Sequence, residues 1–396
     1  MKKSLIQLLL ASFVLAIVVF RTVFPLDTAQ PQVTASTEIR GVWLTNVASA
    51  VLFVPWGVHR ALDQLAHLNF NTVYPVVWNR GYTLYPSDVA QKAFSRSQDP
   101  FLSAWRMGRD VLAELAFQGK QHHLRIIPWF EYGFIAPLHS ELARQHPDWL
   151  TQQQSGEPLM SQAETTDLPQ HSAWLNPFHP EVQQFFIDMV IEVVTRYDVA
   201  GIQLDDHFGL PASFGYDPYT VHLYQTEHQG RNPPADLGDP EWIRWRADKL
   251  TAFVGQLFKS IKATKPDCIL SLSPNSQAFS YRNYLQDWQT WVERGWVEEL
   301  VLQVYRTDPD SFQTELNQPA VQFAQQSIPV AIGIYTGSLR QPTSFQQIQE
   351  QVERVRSNGF AGVSFFYWES LWGYLAPESP RERRTYFQSL FTAPQI

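Results

Sequence analysis

Eight short apolar runs, each four to seven residues long, recur along this chain with helix-period segments between them. The runs fall at 39–44, 72–78, 124–130, 201–204, 269–272, 300–305, 330–335 and 362–367. Segments with apolar residues at helical spacing occupy 58–68, 108–121, 181–197, 242–263, 281–294, 310–326 and 345–358, and a last one, 380–390, follows the eighth run. Near-continuous apolar strands alternating with helices imply a parallel sheet buried on both faces. Eight strand-then-helix units are the number that closes a (β/α)8, or TIM, barrel in the α/β class. An open doubly wound sheet would normally show a glycine-rich first turn, and 39–46 has none. A barrel takes ~250 residues and tolerates long insertions, so one barrel over 39–391 accounts for most of the 396 residues.

The N-terminus is different in kind. Lys2 and Lys3 precede Ser4–Phe20, which is apolar apart from Ser4, Gln7 and Ser12, and Arg21 closes it. A basic start followed by an apolar stretch is the pattern of a secretory signal. The stretch is also at the lower limit for a spanning helix, so 1–21 reads as a signal peptide or as an uncleaved membrane anchor. Residues 22–38, with Pro25 and Pro31 among Gln, Thr and Ser, read as a linker. Both readings place the barrel outside the cytoplasm, in the periplasm or cell envelope, the second with N-terminal membrane attachment. The single cysteine, Cys268, rules out an intrachain disulfide and sits in an apolar run as a small hydrophobe. A net charge of −8 without a lysine or arginine block argues against nucleic acid as a partner. Aromatic residues make up 14% of the chain, including 14 Trp, a richness that suits a core plus a surface on which sugars stack.

Three connections are long: 79–107, 131–180 and 207–241. Each follows a strand, so each lies at the C-terminal face, where barrel enzymes carry their sites. The strand ends deliver Trp43, Thr45 and Asn46; Trp78, Asn79 and Arg80; Trp129, Glu131 and Tyr132; Asp205, Asp206 and His207; Ser273 and Asn275; Gln303, Tyr305 and Arg306; Tyr335; and Trp368 and Glu369. There is no Gly-x-Ser-x-Gly elbow and no phosphate loop. No His-x-His pair appears, so no metal and no cofactor is expected, although Asp205, Asp206 and His207 have donor types that can join a metal.

Two carboxyl groups flanking one bond are the requirement for glycoside hydrolysis: one protonates the leaving oxygen, the other attacks or activates water. A carboxyl near amides and cations stays ionised, while one buried against tryptophan rises in pKa and donates. Asp205 or Asp206 is therefore read as nucleophile or base, and Glu369 or Glu131 as acid. Trp43, Asn46, Trp78, Asn79, Arg80, Trp129, His207, Asn275, Gln303, Tyr305, Tyr335 and Trp368 are read as substrate-binding. Tyr82, Tyr85, Trp149 and Tyr216 in the loops are candidate sugar platforms. Each acid also has a bland reading as a cap, a structural acceptor or a solvated group.

Arg40-Gly-Val-Trp-Leu-Thr-Asn46, Gly201-Ile-Gln-Leu-Asp-Asp-His-Phe208, and Asp287-Trp with Gly295-Trp-Val and Gln303-Val-Tyr305 resemble the glycosyl hydrolase-like 10 family. Trp174-Leu-Asn-Pro177 followed by Pro180-Glu-Val182 adds to the likeness. The resemblance implies a barrel in the bacterial envelope with glycosidase activity, and a link to peptidoglycan glycan strands lacking stem peptides. Asp205 and Asp206 match the family's acidic pair, followed here by His207-Phe208 rather than Tyr-Phe. At the third strand many members read tryptophan, a hydrophobic residue, then Asn-Pro-Tyr-Arg, where this chain has Trp129-Phe130-Glu131-Tyr132-Gly133. That departure adds an acid and removes an arginine. The leading expectation is an exported glycoside hydrolase with a polysaccharide substrate. A carbohydrate-binding barrel without catalysis and a metal-dependent polysaccharide deacetylase are the alternatives.

Overall fold

The computed structural model describes residues 38–392, apart from 48, 160–171, 339–340 and 373–375. The leader and all of the linker but Glu38 lie outside the described residues. Eight parallel strands form a closed ring. They are β1 (Ile39–Leu44), β2 (Thr72–Asn79), β3 (Arg125–Ile126 and Trp129–Phe130), β4 (Gly201–Asp205), β5 (Ile269–Ser273), β6 (Glu299–Gln303), β7 (Val330–Tyr335) and β8 (Gly362–Phe366). Closure comes from β8 pairing with β1, where Gly362 lies opposite Ile39. A Cβ on Gly362 would sit 2.0 Å from the Ile39 carbonyl oxygen, and its φ is +147°, so the seam needs glycine.

Strand β3 is interrupted where a continuous run was expected. Pro128 has no N–H to give to a ladder, and Ile127 and Pro128 bridge the two halves with bonds to Val73 and Gln203 instead. Two expected helices are also divided. The segment at 310–326 is Pro309–Leu316 followed by Pro319–Ser327, because Pro319 starts a new helix more readily than it continues one. The segment at 281–294 is Gln277–Tyr284 followed by Trp288–Glu293, with Leu285 between them in the left-handed region at φ 57°.

The helix layer is laid down by local signals. Helix α1 (Pro180–Arg196), between β3 and β4, opens with proline and buries Val182, Phe185, Phe186, Met189, Val190 and Val193. Helix α2 (Pro240–Thr264), between β4 and β5, opens with proline behind Asp239, whose carboxylate accepts the Trp242 N–H at 3.0 Å. Both helices pack outside the ring and against each other. At the N-terminal end of the barrel, Glu299 accepts from Tyr74 Oη at 3.0 Å and from Arg125 Nη2 at 2.8 Å. That cluster ties β2, β3 and β6 together on the face opposite the long loops.

The long loops are themselves ordered. Ile135–Pro137 pairs with Ser172–Trp174 as an antiparallel ribbon. Asp217 is buried and accepts from Thr151 Oγ1 at 2.8 Å, Asn176 Nδ2 at 2.9 Å and the Thr220 N–H at 2.9 Å. Buried Arg246 donates to the carbonyls of Ala212 and Phe214 and lies over the Trp242 ring at 4.3 Å. The connections after β3 and β4 are thus clamped to each other and to α2. Among the described residues, no helix is long and apolar enough to cross a membrane.

Candidate active site

The mouth of the ring gathers three acids from two adjacent strands. Trp129 is paired with Gln203 and Phe130 with Leu204, so Glu131, just past β3, stands beside Asp205 at the end of β4. Parallel partners point the same way. Gln203 faces the interior, where its Oε1 accepts the Trp43 indole N–H at 2.7 Å and its Nε2 donates to Ser271 Oγ at 3.1 Å. Two residues further along, Asp205 faces the mouth, buried, with Gln303 Nε2 at 3.4 Å from its Oδ1.

Glu131 is buried under a cap of polar groups. Asn79 Nδ2 donates to its Oε2, and Thr45 Oγ1 lies 3.3 and 3.4 Å from its two oxygens. Burial pushes its carboxyl up to about 7, against the opposing pull of Asn79, His207, Thr45 and Arg80. Burial and the neighbouring Asp206 charge likewise push Asp205 well above the usual carboxylate range. Asp206 goes the other way. Burial alone would raise it, but His207, Asp205 and Gln303 outweigh burial and hold it below its ordinary value. His207 Nδ1 is 3.2 Å from Asp206 Oδ1 and 3.7 Å from Asp205 Oδ1, and its ring stacks on Tyr132. Asn275 Nδ2 donates to Asp206 Oδ2 at 2.7 Å. Asp206 is thus the acid pushed toward its ionised form, while Glu131 and Asp205 are pushed toward their protonated forms, which is the asymmetry acid–base chemistry needs. The ligating atoms of Asp205, Asp206 and His207 all lie within 4.8 Å of one another, so these are the residues with the reach to hold a divalent cation.

The expected site residues do not all meet there. Asn46 accepts from Asn79 Nδ2 at 2.9 Å, and Arg80 lies over the Tyr132 ring at 6.0 Å. Tyr305 is packed between Tyr335 and Phe366 and is raised well above its ordinary value by burial, Asp205 and Asp206. Trp43 and Trp129 form the floor, with ring centroids 6.3 Å apart. Trp78 is placed outside the ring, against Phe185 and Phe186 of α1, with its N–H donated to the Gly133 carbonyl. The register of β2 against β3 shifts between Val76 and Trp78. That irregularity sends Trp78 outward and turns Asn79 to the mouth. Glu369 is buried on the one-turn helix Trp368–Leu371, which follows β8 and packs on β8 and β1; β8 is four strands round the ring from β4. Trp368 packs on Trp372.

The loop aromatics serve as scaffold. Tyr85 is fully buried with its hydroxyl on the Met189 carbonyl, and Trp149 stacks on His146 and donates to Glu181. Tyr82 donates to Glu141, and Tyr216 donates to the Pro234 carbonyl. Gln286, which no strand-end pattern marks, donates to the backbone carbonyls of Asp205 and Phe208 at 2.9 and 3.3 Å and fixes the turn that presents the acids. Thr45 was legible from its strand-end position. Gln286 lies between two short helices and carries no periodic signal.

A closed parallel barrel with buried carboxyls from adjacent strands at its C-terminal mouth defines a glycosidase-type TIM barrel. The model of the family described as "Glycosyl hydrolase-like 10" matches residues 38–353, and the chain belongs to that family. It is 24% identical to glycosyl hydrolase YngK of Bacillus subtilis (strain 168) over 312 residues, covering 68% of this chain and 54% of that protein. It is 25% identical to glycosyl hydrolase DigH of Escherichia coli (strain K12) over 324 residues, covering 68% of this chain and 66% of that protein. The matched stretch thus spans about half to two thirds of these relatives. Among solved structures, the fold is similar to the PgaB (BpsB) glycoside hydrolase domain from Bordetella bronchiseptica, with TM-score 0.63, 14% identity, and 88% of this chain and 99% of that chain covered. It is also similar to the catalytic domain of beta-amylase from Paenibacillus polymyxa, with TM-score 0.59, 12% identity, and 90% and 99% covered.

Proposed function

We propose that the protein is an exported glycoside hydrolase that cuts a polysaccharide of the cell envelope, with peptide-free peptidoglycan glycan strands as its first candidate substrate. The observation that carries this reading is the meeting of three buried or half-buried acids in unlike surroundings at the mouth: burial raises Glu131 to about 7, while His207, Asp205 and Gln303 hold Asp206 below its ordinary value. Glu131 is the proton donor to the leaving oxygen, held by Asn79 and Thr45 and pushed toward its protonated form by burial. Asp206 is the ionised nucleophile or base, oriented by Asn275 and His207. Asp205 is buried beside Asp206, and burial and the Asp206 charge push it toward its protonated form, which disfavours a second negative charge there. The Trp43–Trp129 floor and the Tyr305–Phe366 pair supply apolar faces for a sugar ring. The glycan assignment is supported by the family and by the lysine-led apolar segment at 2–20, which fits export and, if uncleaved, attachment to the membrane. The whole unit is read as leader (1–21), linker (22–38) and barrel (39–391).

The test is a digest of peptide-free glycan strands, scored by mass spectrometry for new reducing ends. Wild type is expected to release them, with or without chelator, and Asp206→Asn to lose at least about a hundredfold in rate. Glycan that binds without new ends would favour the carbohydrate-binding alternative. Activity abolished by chelator would favour a metal at Asp205, Asp206 and His207.

A further inference from the structure

Trp129 carries an unusual burden for a floor residue. Its side chain is 3% exposed, yet its indole N–H has no hydrogen-bond partner among the described residues. Its neighbour Trp43, equally buried, has its N–H fully met by Gln203 at 2.7 Å. Asn79 shows the same pattern as Trp129. Its Nδ2 is used twice, on Asn46 and on Glu131, while its buried Oδ1 has no partner among the described residues. Buried donors and acceptors are normally satisfied, and each exception calls for a cause. One unmet donor and one unmet acceptor thus lie on adjacent strands, in the wall that carries Glu131. Trp129 is two residues before Glu131 on the same inward-facing side of β3, so it lies one layer below the acid.

We infer that the Trp129 indole N–H and the Asn79 Oδ1 are a hydrogen-bonding pair for the sugar beside Glu131, the indole donating to an oxygen substituent of the ring and the amide oxygen accepting from a hydroxyl or amide N–H. The inference rests on the glycosidase reading of the same mouth. It assigns to Trp129 a polar contact in addition to its apolar face, and it explains why an indole stands where phenylalanine would fill the floor without a stranded donor. A group kept unsatisfied in the free protein costs folding stability and is recovered on binding. Removing it therefore costs affinity while sparing the fold a stranded polar group.

The experiment compares Trp129→Phe and Trp43→Phe with wild type by thermal unfolding, by hydrolysis of peptide-free glycan strands, and by glycan-binding isotherms in an Asp206→Asn background. Trp129→Phe, which leaves a small cavity but strands no polar group, is expected to lower the unfolding midpoint less than Trp43→Phe does, to lower kcat/KM about ten- to a hundredfold, and to weaken binding in the same proportion. Trp43→Phe, which strands Gln203 Oε1, is expected to lower the midpoint. Equal kcat/KM and equal binding for Trp129→Phe and wild type would overturn the inference. So would a fall in its midpoint matching that of Trp43→Phe, which would mark the N–H as structural. A wild type that binds glycan without cleaving it would sink the hydrolase reading and leave the Trp129 result to be read from the isotherms. A wild type that neither binds nor cleaves would end both.

Discussion

Glu131 shows how one side chain links stability to chemistry. Its carboxyl is raised from 4.5 to about 7, first by burial. Between those two values the folded state keeps a proton that the unfolded chain has released. The stability this contributes is complete below 4.5 and is lost as pH rises through about 7. Glu131→Gln, which cannot ionise, should flatten that fall and stabilise the protein above neutrality by up to about 3 kcal/mol. Denaturant unfolding across the pH range checks this, and a slope unchanged by the substitution would count against a buried neutral acid. Much at this scale was legible in advance. A carboxyl at a strand end, next to aromatic residues, is visible in Trp129-Phe130-Glu131, and the Asp205-Asp206 pair is visible in the same way. Which of those two acids ionises was not visible, because it depends on how the adjacent His207 turns and on Asn275 and Gln303 arriving from other parts of the chain.

Elements decide where those side chains point. The strand-end position of Trp78 placed it with the substrate, and one irregularity between Val76 and Trp78 moved it to the helix layer. No local sequence signal marks that shift, since it answers to packing against Phe185 and Phe186. The helix division at Pro319, by contrast, is written in the proline. The loops follow the same logic. Asp217, capping a loop helix, also holds Thr151 and Asn176 from the preceding connection. Asp217→Ala would take the acceptor from four donors, Thr151 Oγ1, Asn176 Nδ2 and the Thr220 N–H and hydroxyl, and should cost about 3 kcal/mol or more. Limited proteolysis should then cut between 150 and 220 while the rest of the barrel stays protected. Unaltered resistance would mean the clamp is dispensable.

For the whole molecule, closure is the condition for everything else. The ring was readable from the count of apolar runs and from long connections falling after strands. The seam was not readable, because only the paired strands show Gly362 pressed against Ile39. Gly362→Ala should destabilise the barrel by at least about 3 kcal/mol and lower activity with it, as seen by denaturant unfolding. Full activity and stability in that variant would refute the closed seam. Glu131 as proton donor and Asp206 as the ionised partner are proposed to cut a glycosidic bond together. The most direct test is the pH dependence of kcat/KM for glycan cleavage, wild type beside Glu131→Gln. Wild type should show a bell whose alkaline limb lies near 7, and the variant should keep only a small residual rate with that limb gone. An alkaline limb that persists unchanged in Glu131→Gln would contradict the account.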